Sequence, residues 1–435
     1  MNGVSRRKFF AAGAGAVATA GLSAGKARAA ANDTIRVAVL GVNGRGQSHI
    51  EGFQKQDGVQ VAVLCDPDKN VVEGRAKEFE KKYGRKVDTE TDLRRVFERK
   101  DVDVVTVATP NHWHALATIW ACQHKKDVYV EKPGSHNIYE GRKMVEAANK
   151  YGCIVQHGVQ LRSSPAIREA VQHLRDGLIG KVYMSRGLVF RWRASIGHKP
   201  DLPSPPDNLY WDLWQGPAQE RKFSERLVHY NWHWHWDYGN GDVGNQGIHE
   251  TDLCMWGLGL DHKFPSEIVA MGGKFLWDDD KECPEVLSST YYYPEENQMI
   301  EFEVRHWITN DEGGAKVGNL FYGENGYLVV NGYGTYESFL GRDGKPGPKR
   351  KAGGEFELHI ANFIDAVRKR DKSLLNGPVE TAHYSAGLAH LGNIAYRLKR
   401  RLTFDPKTEK FVGDPEADKM LTRNYRPPYV VPENV

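Results

Sequence analysis

The chain has 435 residues, of which 26% are charged and 40% hydrophobic, with 45 glycines and 20 prolines. This length and composition exclude a disulfide-framed miniprotein and a low-complexity disordered chain, and they predict two sizeable globular domains. The formal net charge is only +3 and no dense basic run follows the N-terminus, so the sequence lacks the footprint of a nucleic-acid-binding protein and favours small-molecule chemistry.

The N-terminal residues have the features of an export signal. Arg6 and Arg7 stand side by side, an uncharged stretch rich in alanine and glycine runs from Ala11 to Gly25, and Ala27-Arg28-Ala29 offers the small residues of a cleavage site. The segment resembles a twin-arginine signal, so we expect residues 1–30 to be removed and the mature protein to be periplasmic or secreted. The apolar stretch is shorter than the roughly 20 residues needed to cross a bilayer, so we expect no membrane anchor. A flexible basic arm is the alternative interpretation.

Five cysteines are widely spaced and include no Cys-x-x-Cys pair for zinc or redox chemistry. We expect them to be free, mostly buried thiols. This suits a chain that folds in the cytosol before export, because the twin-arginine route carries folded proteins, often with a cofactor already inserted. The combination favours a tightly held cofactor.

From Thr34 onward, short β-branched runs alternate with amphipathic stretches. The predicted strands are 35–40, 59–64, 102–107, 128–130 and 154–155. The predicted helices lie near 45–55, 68–82, 112–124 and 137–150. Strands separated by helix-length segments indicate βαβ units and a parallel sheet. The sequence therefore predicts an α/β fold whose N-terminal part, residues 33–158, is a doubly wound Rossmann domain.

The first turn between a strand and a helix is Gly41-Val42-Asn43-Gly44-Arg45-Gly46. Glycines there let the chain turn tightly and let the backbone approach a pyrophosphate at the helix N-terminus. The middle glycine of the G-x-G-x-x-G fingerprint is replaced by Asn43, a residue that also tolerates positive φ. Asp66 ends the second strand 20 residues after Gly46, where a carboxylate binds an adenosine ribose. Because this carboxylate repels a 2′-phosphate, we expect NAD rather than NADP; a glycine turn that binds nothing is the alternative.

Two further segments follow predicted strands. Thr109-Pro110-Asn111-His112-Trp113-His114 follows the strand ending at Val107, and Glu131-Lys132-Pro133 follows the next one. Open α/β sheets bind ligands at this carboxyl edge. The residues expected to contact the cofactor are Gly41, Asn43, Gly44, Arg45, Gly46, Asp66, Thr109, Pro110, Asn111, His114, Glu131 and Lys132.

On these motifs the chain resembles the Gfo/Idh/MocA oxidoreductases from Thr34 to about Phe404. The resemblance implies a second, α+β domain over residues 159–380 with a large, mostly antiparallel sheet, and a carbohydrate substrate bound between the domains. It also implies that a helix over 381–404 packs back on the Rossmann domain, ahead of a tail over 405–435. A homo-oligomer, dimer or tetramer, is the assembly it implies, and no metal is expected.

The resemblance also implies roles for individual residues. It places Lys132 near substrate and nicotinamide, and it places Gln160 and Arg162 where relatives contact nicotinamide and substrate. A surface salt bridge is the alternative for Arg162. Relatives use an aspartate and a histidine four residues apart; here the histidine is His249, and Asn245 replaces the aspartate.

A polar stripe on a predicted buried helix supports the same assignment. Asp242, Asn245, His249, Asp252 and Trp256 step by three or four residues and so share one helical face. Removing the proton of a secondary alcohol needs a base, and histidine or a desolvated lysine suits that task. We therefore predict Lys132 and His249 as catalytic residues, with Asn245 orienting a hydroxyl without supplying charge. A purely structural histidine is the alternative.

The segment Asn231-Trp232-His233-Trp234-His235-Trp236-Asp237 alternates strictly. In an extended strand, the tryptophans would share one face and the histidines and Asp237 the other. Tryptophan faces suit sugar rings, so Trp234 and Trp236 are predicted to bind substrate, together with Arg162, Lys132, Asn245 and His249. Packing at a domain interface is the alternative for the tryptophans, and a metal site is the weakest interpretation of the polar face.

Downstream, β-rich runs are predicted at 288–293, 299–307 and 327–331, a Gly/Lys-rich loop at 341–354, and amphipathic helices at 359–367 and 382–398.

These features predict an NAD-dependent oxidoreductase acting on a secondary hydroxyl of a sugar, polyol or glycoside. One alternative is a redox-neutral NAD-dependent glycoside hydrolase, in which transient oxidation at C3 acidifies the C2 proton and elimination follows. The other is a non-catalytic sugar-binding protein that retains a dinucleotide.

Overall fold

Two β-sheets, one parallel and one mostly antiparallel, organise the chain, and the predicted fold class is confirmed. The computed structural model describes residues 34–307 and 310–435, so the predicted twin-arginine signal lies outside the described residues. All five cysteines are free and buried, as expected from their spacing. Within the described ranges, no helix is long and apolar enough to cross a membrane.

The parallel sheet alternates strands with helices. Its elements are β1 (Ile35–Leu40), α1 (Arg45–Gln54), β2 (Val59–Cys65), α2 (Lys69–Tyr83), β3 (Asp88–Glu90), α3 (Leu93–Glu98), β4 (Val104–Val107), α4 (Asn111–Gln123), β5 (Asp127–Val130), α5 (Ile138–Tyr151) and β6 (Val155–His157). The strand order is β3-β2-β1-β4-β5-β6. The order reverses beside β1, and open α/β sheets bind ligands at such a switch point. The sequence did not predict β3 and α3, because both are short and β3 is a polar, mostly exposed edge strand.

The second sheet has ten strands. Its elements and the helices around it are α6 (Pro165–Arg175), β7 (Val182–Phe190), α7 (Trp211–Gln215), α8 (Gly241–Asn245), α9 (Ile248–Leu258), β8 (Glu267–Gly273), β9 (Val286–Tyr293), β10 (Gln298–Arg305), β11 (Val317–Gly323), β12 (Gly326–Asn331), β13 (Thr335–Leu340), β14 (Lys345–Lys351), α10 (Glu355–Lys369), α11 (Val379–Leu398), β15 (Leu402–Asp405), β16 (Lys410–Phe411) and α12 (Pro415–Asp418). The order is β14-β13-β12-β11-β7-β10-β9-β8-β15-β16, and β7 pairs in parallel with β10. The largest apolar cluster lies between this sheet and helices α6, α9 and α11.

One loop prediction was wrong. The stretch 341–354 contains β14, which pairs antiparallel with β13. Its alternation of lysine, proline and glycine carries no apolar face, so periodicity gives no strand signal at this exposed sheet edge.

Helices from the C-terminal half also cover the parallel sheet. Ile360 and Phe363 of α10 belong to the apolar cluster around β1 and β2, and Val379 and Ala382 of α11 belong to the cluster around α4 and α5. The two sheets therefore share their helical layers.

The connection from β7 to α8 forms a separate structure, which we call the strap (residues 191–234). It contains α7 and has its own apolar cluster, which includes Leu209, Phe223 and Trp232. The alternating segment 231–237 does not form the extended strand considered above. Asn231–Trp234 is a 3₁₀ turn, in which the His235 N–H donates to the carbonyl of Trp232 at 3.2 Å. Because this turn is not extended, the tryptophans and the histidines do not lie on opposite faces of a strand.

Candidate functional site

A cleft opens where the carboxyl ends of the parallel strands face the strap. Its volume is about 280 Å³. Its lining includes eleven of the residues predicted to contact a cofactor, namely Gly41, Asn43, Gly44, Arg45, Asp66, Thr109, Pro110, Asn111, His114, Glu131 and Lys132. The opposite side is formed by the strap residues Leu213, Trp214, His229, Tyr230, Trp232 and His233, and by Asn245 of α8.

The glycine turn between β1 and α1 is tightly packed. Gly41 has a φ of +76°, and a Cβ there would lie 2.7 Å from the carbonyl oxygen of Ala108. A Cβ on Gly46 would lie 1.8 Å from the carbonyl oxygen of Gly41, so Gly46 supports the turn from behind and does not line the cleft. Gly44, by contrast, has open space where a Cβ would be, and no side chain caps α1. The first N–H groups of α1 therefore suit a pyrophosphate.

Asp66 lies at the end of β2, on the rim of the cleft. Its carboxylate accepts hydrogen bonds from the N–H groups of Val42 and Asp68, both at 3.0 Å. Burial raises the pKa of Asp66 to about 6, against these two hydrogen bonds. The side chain is thus fixed beside the glycine turn, where it fits a ribose hydroxyl.

Glu131 is a buried anion at the end of β5. It accepts hydrogen bonds from Arg45 Nε at 2.7 Å and from His49 Nε2 at 3.0 Å. Burial alone would raise the pKa of Glu131, but Arg45 and His49 hold it well below its usual range. The Glu131 carboxylate also accepts the main-chain N–H of Lys132 at 3.2 Å, so the anion fixes the backbone that carries the lysine.

Lys132 reaches across the cleft to α8. Its Nζ donates to the main-chain carbonyl of Asn245 and lies 3.5 Å from Asn245 Oδ1. Burial lowers the pKa of Lys132, and the cations Arg45 and Arg193 act in the same direction, against Glu131 and Asp242. The lysine therefore gives up a proton more readily than a lysine in water.

The Asn245 amide is held in one orientation. Its Nδ2 donates to the Tyr230 hydroxyl at 3.3 Å and to Asp242 Oδ1 at 3.2 Å, which leaves Oδ1 facing Lys132. Asp242 is in turn bound by two nitrogens of Arg193, at 2.8 and 2.7 Å. A carboxylate is thus present one turn before Asn245, but its charge is balanced by Arg193.

His249 lies one turn after Asn245, behind the wall of the cleft. It is buried, its Nδ1 has no hydrogen-bond partner, and its ring packs edge-on against Tyr333. Burial, followed by the charge of Lys132, lowers the pKa of His249 well below its usual range. The structure therefore brings Lys132 and Asn245 into contact, with a neutral His249 adjacent to them.

Two residues predicted from the resemblance lie away from the cleft. Arg162 is buried in a structural ion pair, with Nε 2.8 Å from Asp252 and Nη2 2.7 Å from Asp261. Both carboxylates are engaged with it, so Arg162 is not available to a substrate. Gln160 is buried close by, does not line the cleft, and its Oε1 has no partner.

The two tryptophans predicted to stack on sugar are also directed elsewhere. Trp234 is buried against His306, and Trp236 packs under Arg397, whose guanidinium lies 5.0 Å from a ring centroid. Because the segment curls, Trp232 lines the cleft in their place.

The two histidines of this segment diverge. His233 donates to the carbonyl of Tyr230 at 2.5 Å, and burial lowers its pKa to about 3. His235 instead contacts Glu282, so the two do not form a shared site. Among the described residues, no group of three histidine, cysteine or acidic side chains is placed to hold a metal ion.

Tyr230 is the main cleft residue that the sequence did not indicate. Its hydroxyl accepts hydrogen bonds from Asn245 Nδ2 at 3.3 Å and Arg193 Nη1 at 3.2 Å, and its side chain is half exposed in the cleft. With both bonds accepted, the hydroxyl hydrogen is free to point into the cleft. The only signal was the density of aromatic residues between 210 and 236.

Comparison with known proteins shows matches along most of the described chain. Residues 35–159 match a model of an oxidoreductase family with an NAD-binding Rossmann fold. Residues 164–283 and 348–431 match the C-terminal alpha/beta domain of the same family. The dinucleotide expected from the glycine turn and Asp66 is therefore a nicotinamide dinucleotide.

Individual relatives act on sugars. The chain is 30% identical over 149 residues to the 2,7-anhydro-N-acetylneuraminate hydratase of Mediterraneibacter gnavus, covering 34% of this chain and 38% of the relative. It is 28% identical over 177 residues to the α-N-acetylgalactosaminidase of Shewanella oneidensis, covering 38% of each chain. The matches thus span about 38% of the length of these relatives.

A solved structure shares the fold over nearly its whole length. The WlbA dehydrogenase of Bordetella pertussis, in complex with NADH and UDP-GlcNAcA, superimposes with a TM-score of 0.64 at 18% identity. The match covers 86% of this chain and 99% of that one.

Proposed function

This chain belongs to the Gfo/Idh/MocA oxidoreductases, and from that premise we propose that it is an NAD-dependent oxidoreductase acting on a secondary hydroxyl of a sugar, polyol or glycoside. The observation that carries the proposal is the contact of Lys132 Nζ with Asn245, in the cleft that Gly41 and Asp66 also line. The desolvated base and the residues proposed to bind the dinucleotide thus line the same cleft. Sugar-acting relatives support a carbohydrate substrate.

The cleft residues divide between cofactor and substrate. The glycine turn and the N-terminus of α1 would hold the pyrophosphate, and Asp66 would hold the adenosine ribose. When bound, the nicotinamide supplies the hydride acceptor. The remaining cleft residues near Lys132, which include Tyr230, Trp232 and His233, are left to bind the sugar.

Asp66 selects NAD over NADP, because its carboxylate repels a 2′-phosphate. We expect the dissociation constant for NADH to be lower than that for NADPH by at least about tenfold. The Asp66→Ser substitution is expected to reduce this ratio of dissociation constants. Nicotinamide fluorescence titration of wild type and variant measures both constants. Equal constants in the wild type would contradict this assignment.

Lys132 is the proposed base. In its neutral form, Nζ takes the hydroxyl proton of the substrate, while Asn245 Oδ1 and the Asn245 carbonyl keep the nitrogen in place. The resulting ammonium and the Tyr230 hydroxyl then both donate to the carbonyl oxygen that forms. Burial of Lys132 favours its neutral form before the transfer.

Asn245 favours the neutral form of Lys132 because its amide carries no negative charge. An aspartate there would place a negative charge beside Nζ, stabilise the ammonium and raise the pKa of Lys132. The amide keeps the orienting hydrogen bond without that charge. His249, held neutral and set back from the cleft, shapes the site in this account and does not take the proton.

A second candidate function is favoured by the curated relatives, which include a glycosidase. In a redox-neutral glycoside hydrolase, oxidation at C3 would acidify the C2 proton, and elimination would break the glycosidic bond and release the aglycone. Water addition and return of the hydride to C3 would then complete the hydrolysis and restore the cofactor. The same base and the same dinucleotide site would serve this reaction.

One experiment separates the candidates. Purified protein is incubated with NAD and a panel of free sugars, polyols and aryl glycosides, and both NADH and the released aryl alcohol are followed. Steady formation of NADH supports the dehydrogenase. Glycoside cleavage without net NADH supports the hydrolase, and sugar binding with neither signal would contradict both enzymes and leave a binding protein.

Export by the twin-arginine route and assembly into a dimer or tetramer remain part of the proposal. N-terminal sequencing of protein from periplasm and medium tests the first, with Arg6→Lys plus Arg7→Lys expected to keep the precursor in the cytoplasm. Sedimentation tests the second.

A further inference from the structure

The strap is firmly attached to the C-terminal domain. At its start, the N–H of Ile196 donates to Asp279 at 3.0 Å and that of Lys199 to Asp280 at 2.9 Å. Its own apolar cluster, which includes Trp214 and Leu227, gives it a packed interior. The strap is therefore a packed structural element that is hydrogen-bonded to the C-terminal domain.

The strap also holds the Rossmann domain, at the loop that follows β2. The main-chain N–H of Lys69 donates to the Asn208 carbonyl at 2.8 Å, and that of Tyr210 donates to the Pro67 carbonyl at 3.0 Å. Asp68 accepts the Asn208 side-chain amide at 2.8 Å, and its other oxygen lies 3.2 Å from His229 Nε2. This is the loop that begins with Asp66, the residue assigned to the adenosine ribose.

A second attachment lies on α4. The carbonyl of Trp214 accepts hydrogen bonds from His112 Nε2 at 2.9 Å and from Trp113 Nε1 at 3.2 Å. The strap thus runs from the β2 loop to the start of α4, the two elements that flank the cleft beside β1. Between these attachments, Leu213, Trp214 and His229 line the cleft opposite the glycine turn.

We propose that the strap is part of the dinucleotide site: His229 faces the adenosine ribose beside Asp66, and the Asn208–Asp68 hydrogen bond keeps the cleft closed over the adenosine diphosphate moiety. A dinucleotide held between the glycine turn and the strap then leaves only when these contacts open, so it dissociates slowly. The inference rests on the proposed function for the identity of the nucleotide. It adds residues of the C-terminal domain to a site that the sequence assigned to the Rossmann domain.

The rate of NADH release tests the proposal in the full-length mature protein. Wild type, Asn208→Ala, His229→Ala and the control His262→Ala are loaded with NADH and mixed with excess NAD, and loss of nicotinamide fluorescence is followed by stopped flow. His262 is exposed and stacks on Tyr384 of the C-terminal domain. Each strap variant is expected to release NADH about fivefold faster than wild type, since a lost hydrogen bond contributes about that factor, and the control is expected to match wild type.

The outcomes are distinguishable. Release at the wild-type rate from both strap variants overturns the role of the strap and leaves the proposed function standing. A wild type that binds no NADH overturns the proposed function together with this inference. Melting temperatures of the variants accompany the rates, and the two single substitutions at partly exposed polar residues provide independent tests.

Discussion

Single residues set the ionisation of the proposed base. Burial lowers the pKa of Lys132, the anions Glu131 and Asp242 oppose this effect, and the cations Arg45 and Arg193 add to it. Arg193 lowers the pKa of Lys132 through its own charge, and it also forms an ion pair that balances the charge of Asp242. The chemistry therefore depends on charges that lie one contact away from the lysine.

Replacing the base tests its role directly. Lys132→Ala is expected to lower kcat by about 10²–10⁴, the usual contribution of general base catalysis, while NADH still binds. Steady-state kinetics and fluorescence titration measure the two effects. The surface variant Lys55→Ala serves as control, since Lys55 is well exposed. Near-native turnover of Lys132→Ala would remove the lysine from the mechanism.

Asn245→Asp tests how the amide acts. In the wild type, kcat is expected to fall as the pH drops through the lowered pKa of Lys132, because the base becomes protonated. A carboxylate beside Nζ stabilises the ammonium form of Lys132. The variant is therefore expected to need a pH about one unit higher than the wild type to reach the same fraction of neutral lysine. The pH profile of kcat measures the shift. An unmoved profile would show that residue 245 does not set the charge of the base.

The sequence predicted residues of the site when a local motif carried them. Asp66 follows a strand at the fingerprint spacing, and Lys132 and Asn245 stand in recognisable segments, so the sequence predicted all three, and all three line the cleft. Tyr230 and Arg193 were missed, because their position depends on how the strap folds back over the cleft. Arg162 was predicted to contact substrate, but in the structure it pairs with two carboxylates distant in sequence, Asp252 and Asp261.

At the scale of elements, the turn between β1 and α1 shows why two of its glycines are structural. Gly46→Ala would place a Cβ 1.8 Å from the Gly41 carbonyl oxygen, so the turn must shift. We expect this variant to lose NADH binding and to melt at a lower temperature. Gly44→Ala is the matched control, because nothing lies within 4 Å of its Cβ position, and it should keep the stability of the wild type. Equal melting temperatures of the two variants would contradict this description of the turn.

Secondary structure was predicted best where burial and periodicity agreed. Strands β1, β2, β4 and β5 are buried apolar runs and were located closely. The 231–237 segment has a strict alternation, yet it curls, since Trp232 stacks on the neighbouring His233 ring at 3.6 Å and packs into the strap cluster. Tertiary packing overrode the local pattern there.

At the scale of the whole molecule, buried polar contacts connect the segment that follows β6 to helices α9 and α11. Arg162, on the short 3₁₀ segment after β6, pairs with Asp252 of α9, which also accepts the hydroxyl of Ser385 of α11 at 2.6 Å. The segment that leaves the parallel sheet is thus fixed to the helical layer of the second sheet.

Arg162→Met is therefore expected to affect stability and not substrate binding. Removing one partner of a buried ion pair leaves an uncompensated charge and costs about 3–5 kcal/mol of unfolding free energy. Chemical denaturation measures the loss, and KM of the remaining folded enzyme should match that of the wild type. The control is Arg175→Ala, whose side chain is half exposed and lies 3.8 Å from Asp261, with an expected cost of at most about 1 kcal/mol. A raised KM with an unchanged free energy of unfolding would contradict the structural role and indicate that Arg162 contacts substrate.

We propose that a nicotinamide dinucleotide held between the glycine turn and the strap takes a hydride from a sugar carbon whose hydroxyl proton goes to Lys132. The most direct test is a single-turnover experiment with NAD-loaded protein and a sugar or glycoside that it binds, following the near-ultraviolet absorbance of reduced nicotinamide. We expect this absorbance to rise in the wild type, with a lasting rise for an oxidoreductase and a transient one for the redox-neutral reaction, and almost no rise in Lys132→Ala. A bound sugar that gives no rise in the wild type, or an equal rise in Lys132→Ala, would contradict it.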